Sequence, residues 1–294
     1  MAFSEKLRAL RKQAGFSQEA LAEKLGVSRQ AVTKWETEAG LPDIENIMAV
    51  SALFGVSMDE LLSGERDGKG PPDFLFESVT EYDVAETKRF DMKLGGAKKL
   101  VVSGYEGEKL RVRLASNTLQ TLRSDFKVKI DDIRSRIDVD VLRKNGATEA
   151  AAKEALAVFV QLPAPYTGKA ELAANAKTVE LRALRCESVE LDIKAQEVLL
   201  EDVAGNVEID CNLDMNVVCR AFRGELTLNQ VSATSKLSIP EGAAFTAAAK
   251  GRGNSISFER HGAPAEPFDT PGAETAIELN GMKSELVICA VKEE

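Results

Sequence analysis

The chain has 294 residues, with 38 Lys or Arg against 47 Asp or Glu and a formal net charge of −9. That balance excludes broad polyanion binding, while the length allows two domains. No run of 18 or more apolar residues occurs, and MAFSEKLRAL mixes charges where a signal peptide would be apolar, so neither a membrane span nor secretion is expected.

The first informative segment is QEALAEKLGVSRQAVTKWE, from Gln18 to Glu36. Leu21 and Leu25 lie one helical turn apart and share a face, as do Val32 and Trp35 further on. Gly26 follows the first periodic stretch, where a helix ends most easily in a left-handed residue. Ser28 offers an oxygen to cap a second helix starting at Arg29, and the small Ala22 lets the two helices cross closely. Two short helices joined by a glycine turn make a helix-turn-helix, whose second helix fits the DNA major groove.

On these residues, 3–64 resemble the helix-turn-helix domain of the lambda-repressor and Cro-like family, the xenobiotic-response-element type. LRALRKQAGFSQEALA resembles that family's opening helix and the entry to its second. SRQAVTKWE resembles its recognition helix, and LPDIENIMAVSALFGVSMDELL its last two helices. The expectation is a five-helix DNA-binding domain over residues 1–64.

At the start of the recognition helix the exposed positions are Ser28, Arg29, Gln30, Thr33 and Lys34, and none is acidic. Arg29 can donate two hydrogen bonds to guanine, Gln30 can bond both ways to adenine, and Lys34 can reach a base or a phosphate. Ser17 and Gln18 open the preceding helix, where free backbone amides and the dipole favour a phosphate. The resemblance implies backbone contact for Gln18 and base contact for Arg29, Gln30 and Lys34. It also implies a structural, partly buried ion pair between Arg11 and Glu36, which the guanidinium fork suits. Residues 1–64 hold 7 basic and 9 acidic residues, so one copy neutralises few phosphates and binds weakly. A homodimer on a palindrome, with half-sites ~34 Å apart, is therefore expected.

Residues 63–73, SGERDGKGPPD, combine glycines, charges and a Pro pair with nothing to bury. They mark a boundary, with 65–73 as linker and 74–294 as a second domain. Beyond Phe74 the apolar period changes to two: Val189, Leu191 and Ile193 alternate with Glu190, Asp192 and Lys194, and Val207 and Ile209 with Glu208 and Asp210. Similar runs start at Lys169, Lys177, Glu187, Glu197, Gly205, Asp214, Gly224 and Ser235, about every 9 residues. Variable turns favour a β-solenoid of two strands and about 19 residues per coil over a sandwich or barrel. Residues 100–258 resemble a bacterial adhesin-like family that forms a single-stranded β-helix. AVFVQLPAPYTGKAELAANAKTVELRAL resembles its entry and GNVEID its repeated unit. The Ala-rich 148–157 reads as a short helix or loop, and Asn280-Gly281 as the turn of a closing hairpin.

No catalytic, cofactor or metal site is expected. Outward acids such as Glu190, Asp192, Glu208 and Asp210 read as a solvated face, and His261, the only histidine, reads as an exposed loop residue. Ala204-Gly205 could mimic a LexA-like cleavage pair, but no Ser-Met nucleophile motif follows. Cys186, Cys211, Cys219 and Cys289 are widely spaced without a CxxC pair, which reads as buried, reduced thiols in the cytoplasm. The leading functional expectation is a sequence-specific transcriptional regulator. Its β domain would serve assembly, binding of a protein or ligand, or sensing. The alternatives are a cytoplasmic scaffold whose helical head contacts protein, and a carbohydrate-active β-helix enzyme.

Overall fold

The computed structural model describes residues 3–37, 40, 42–54 and 74–292. The chain divides into two compact units, Met1–Asp73 and Phe74–Glu294. Residues 55–62, read as part of the last two helices, and residues 63–73, read as the boundary, lie outside the described residues.

The first unit contains α1 (Phe3–Gln13), α2 (Gln18–Leu25), α3 (Arg29–Glu36) and α4 (Ile44–Phe54). Their turn-spaced apolar residues meet in one cluster: Phe3, Leu7, Leu21, Ala22, Val32, Trp35 and Val50 are buried, and Leu25, Val27 and Ala31 pack against them. Local chemistry sets the helix ends. The Ser17 hydroxyl accepts from Ala20 N–H and that of Ser28 from Ala31 N–H, at 3.1 and 3.2 Å. Gly26 is left-handed, with φ 68° and ψ 28°, and its N–H and that of Val27 return to the last turn of α2. The turn between α2 and α3 is thus held at both sides.

The second unit is a β-solenoid whose strands form two walls. The first wall stacks β4 (Phe126–Ile133), β5 (Arg136–Arg143), the first halves of β2 (Lys88–Tyr105) and β7 (Thr167–Arg182), β8 (Arg185–Lys194), the second half of β9 (Glu197–Asp210), β11 (Glu225–Val231), β16 (Ala276–Met282) and β13 (Thr246–Ala249). The second wall begins with β1 (Phe76–Asp83), β3 (Lys109–Ser116), β6 (Ala157–Pro163) and the second halves of β2 and β7. It continues through the first half of β9, β10 (Asn216–Arg223), β12 (Thr234–Pro240), β17 (Glu285–Val291), β14 (Ser255–Arg260) and β15 (Ala263–Ala265). Coil-to-coil pairing is parallel, and the antiparallel strands β1, β3 and β4 cover one end. The Ala-rich segment forms a helix, Glu149–Ala155, packed beside β2.

Alternation explains the coil. Ala170, Val189, Val207, Leu226 and Ile277 lie in register and buried on the first wall. Val179, Val198, Val217, Leu237 and Ile288 do so on the second. Val189 sits 19 residues above Ala170, Val207 18 above Val189, and Leu237 20 above Val217, close to the repeat read from the sequence. Each buried Val or Leu contributes roughly 1.5–3 kcal/mol. Glu190, Asp192, Glu208 and Asp210 point outward and are exposed.

Two readings need correction. Asn280 and Gly281 do not turn a hairpin. They lie inside β16, which pairs in parallel with β11 and β13, while β17 pairs with β12 and β14. The last coil, β16 with β17, therefore slots between two coils that precede it in the chain. Asn-Gly signals a positive-φ corner, and here Gly281, at φ 113°, supplies a coil bend rather than strand reversal. The thiols are also less uniform than expected: Cys211 and Cys219 are buried, whereas Cys186 and Cys289 are half-exposed; all four are free. Burial pushes the Cys219 thiol up to about 12 and those of Cys186 and Cys289 up to about 11, so these three are not activated nucleophiles.

Corner glycines let neighbouring coils close up. A Cβ on Gly224 (φ 123°) would sit 2.2 Å from the carbonyl oxygen of Gly205, whereas Gly242 (φ 89°) faces open space. We expect Gly224→Ala to lower the stability of the solenoid by ~2 kcal/mol or more in urea unfolding. Gly242→Ala should cost only about 1 kcal/mol, from backbone strain. Equal midpoints for the two variants would show that coil corners are not close-packed.

Candidate nucleic-acid interface

The candidate surface is built on α2 and α3. Because Val32 and Trp35 are pulled into the core and Ala31 packs against it, α3 turns its other side to solvent. Ser28, Arg29, Gln30 and Lys34 stand on that side and are exposed, as is Ser17 at the start of α2. Among the described residues the side chains of Arg29, Gln30 and Lys34 make no hydrogen bond or ion pair, so their donors face water. The hydroxyls of Ser17 and Ser28 are occupied as helix caps.

Gln18 and Thr33 are held differently. Both are half-buried and belong to a network centred on Glu36. The Glu36 side chain is 1% exposed. Arg11 Nε donates to its Oε1 at 2.6 Å and Arg11 Nη2 to its Oε2 at 3.0 Å, a bidentate pair. Gln18 Nε2 donates to Oε2 at 2.8 Å, and Thr33 Oγ1 donates to Gln18 Oε1 at 3.2 Å. Arg11 Nη1 also holds the carbonyl of Phe16, and Arg8 Nη2 that of Glu36, at 2.8 and 2.7 Å. One carboxylate thereby ties α1, α2 and α3 together. Arg8, three residues before Arg11 on the same face of α1, went unnoticed in the sequence. That spacing is the signal that could have found it.

The charge states follow from this arrangement. Burial opposes charge on Glu36, but hydrogen bonds from Arg11 and Gln18, with the field of Arg11 and Arg8, outweigh it and hold its pKa below 4.5. The hydrogen bond to Glu36 raises the pKa of Arg11 despite desolvation. Arg29 and Lys34 are the exposed cations of α3, whereas Arg11 and Arg8 of α1 are engaged with Glu36.

Short helices capped by serines, a left-handed glycine turn and an outward polar face on α3 define a helix-turn-helix domain. The amino-terminal unit is of the lambda-repressor and Cro type: residues 7–61 match the family model described as helix-turn-helix. Over 65 residues the chain is 51% identical to the HTH-type transcriptional activator BcrR of Enterococcus faecalis, covering 22% of this chain and 32% of that protein. The solved P22 c2 repressor, in complex with a synthetic operator, is 37% identical, covering 22% of this chain and 98% of that one with a TM-score of 0.21. A cell adhesion-type protein from Clostridium sporogenes is similar across 74% of this chain and 99% of its own, at 13% identity and a TM-score of 0.36. The chain spans between 28% and 65% of the length of the curated relatives it matches.

Because the folded pKa of Glu36 is lowered, its contribution to stability is full above 4.5 and is lost as pH falls through the folded value. The helical unit should therefore lose stability on acidification below about pH 5, and Glu36→Gln should flatten that dependence in thermal melts followed by circular dichroism. Glu36→Ala leaves Arg11 without its partner and should cost about 3 kcal/mol at neutral pH. A loss under 1 kcal/mol would mean the network is dispensable.

Proposed function

We propose that this chain is a sequence-specific DNA-binding transcriptional regulator. Residues 1–64 act as the reading head, 65–73 as linker and 74–294 as a body for assembly, partner binding or sensing. The observation that carries the reading is the exposed row Arg29, Gln30 and Lys34 at the start of α3, free of internal partners among the described residues and free of acids. A row of this kind offers donors to guanine edges, an amide to adenine and a cation to phosphate. The relatives named above are, by their descriptions, a transcriptional activator and an operator-bound repressor, which supports the same reading.

Ser17, Ser28 and Thr33 flank that row. The backbone amides of Ser17 and Ser28, at the starts of α2 and α3, and their hydroxyl hydrogens suit phosphate contacts that fix register without reading sequence, while Thr33, whose hydroxyl donates to Gln18, would act by holding that amide at the surface. Gln18 is proposed to touch the backbone too, with its amide oriented by Glu36 and Thr33. Arg11 and Glu36 shape the surface without reading it. Since the head carries few cations, we propose a homodimer on a palindrome with half-sites ~34 Å apart, each weak contact counted twice.

Genomic footprinting should recover sites with a palindrome of that spacing. Arg29→Ala should weaken binding to the recovered operator by ~1–3 kcal/mol and relax preference at one base pair per half-site. Gln18→Ala should weaken all duplexes alike. If both variants bind every duplex as the parent does in fluorescence anisotropy, α3 is not the reading element.

A further inference from the structure

The insertion of the last coil leaves a gap at one corner of the solenoid. Lower in the stack this corner is regular, with bends at Ala183, Asp202 and Ala221 (φ 49°, 56° and 53°) carrying each second-wall strand into the next first-wall strand. One level up, the chain leaving β12 at Pro240 climbs past the adjacent level to enter β13 at Thr246. The strand that fills the skipped level, β16, arrives from Thr275 instead. Two connections thus diverge at the corner where a single bend would have closed it. Diverging connections are a recurrent origin of binding crevices in layered folds.

A cavity of about 100 Å³ lies in this gap. Its inner wall is Cys219, Leu226, Ile239, Phe245 and Ile277, each at most 5% exposed. Its mouth is formed by small, exposed side chains, Ala221, Ala243 and Ala244. The in-register series Leu181, Leu200, Cys219 explains the space: the first two positions fill the interior with leucine, whereas the third places a shorter side chain directly under the crossing. Gly242 beside the mouth contacts nothing within 4 Å at its Cβ position, so the turn above the cavity is not jammed against the body.

We infer that this crossing cavity is a binding site for a small uncharged apolar molecule of about the size of one aromatic ring. A pocket of this order with an apolar inner wall and an open mouth accepts a benzene-sized molecule, which displaces water that finds few hydrogen-bond partners there. Among the described residues no charged side chain lines the wall, and Thr275 contributes the one side-chain hydroxyl, so an ion would be desolvated without compensation. The Cys219 thiol stays protonated and acts as a soft contact rather than a reacting group. The site stands on the geometry of the body and is independent of the DNA-reading proposal.

The test uses the full chain without DNA and benzene as the probe. Near-saturating benzene should raise the Tm of the solenoid transition by about 2–4 °C. Cys219→Leu, which extends the leucine series of the neighbouring coils, should fill the space and abolish the response. An unmoved Tm in the parent, or an equal rise in Cys219→Leu, overturns the inference. Should that variant not fold, nuclear Overhauser effects on the parent decide the matter. Benzene contacts to the methyls of Leu226, Ile239 and Ile277, and none to Leu172 or Leu191 deeper in the stack, support the site; their absence refutes it.

Discussion

A carboxylate buried between helices must be matched on every side, and Glu36 meets that demand by drawing on three elements at once. Its two oxygens accept from Arg11 and Gln18, while its backbone carbonyl accepts from Arg8. An unpaired charge in that position would cost several kcal/mol, so the relative placement of α1, α2 and α3 is strongly constrained. The orientation of the outward row on α3 follows. Val32 and Trp35 fix which side of the helix is inner, and the Glu36 network fixes how the helix is turned. The network reaches into the candidate interface through Gln18 and Thr33, so the scaffold and that candidate face share residues.

The second unit is governed by a different constraint, the in-register repetition of side chains along parallel strands. Between successive coils the interior positions recur 18 to 20 residues apart, the corners absorbing the difference, whereas a one-residue slip in the pairing of a strand would turn its polar side chains inward. Outward positions tolerate charge, which is why Glu190 and Glu208 can stack one above the other at the surface. The tight corners accept almost nothing larger than glycine where carbonyls approach, as at Gly224 and Gly281.

Much of this was legible in the sequence because it rests on local rules. The turn at Gly26, the caps at Ser17 and Ser28 and the inward set on α2 and α3 all follow from residue type and spacing. The period-two alternation around Val189 and Val207 announces strands, and the interval between runs announces coils of about the observed length. The order in which coils stack was not legible. Nothing in the spacing of β16 and β17 distinguishes an added last coil from one inserted between earlier ones, since both bury the same faces. Asn280-Gly281 misled for the same reason: the dipeptide reports a positive φ, and only tertiary pairing decides whether the strand then reverses or bends. Gln18 reads equally well as a phosphate ligand or as a bridge to Glu36, because its amide can serve either partner.

The inserted coil also bears on how the solenoid comes into being. During synthesis β13 and β14 leave the ribosome before the strands that separate them from β11 and β12, so their parallel partners β16 and β17 do not yet exist. The nascent body must keep that tier apart, or seat it provisionally on the wrong one, until β16 and β17 arrive. Completion of this tier is therefore a wedging event, in which a strand pair made after both of its neighbours becomes an interior layer and locks those laid down before it.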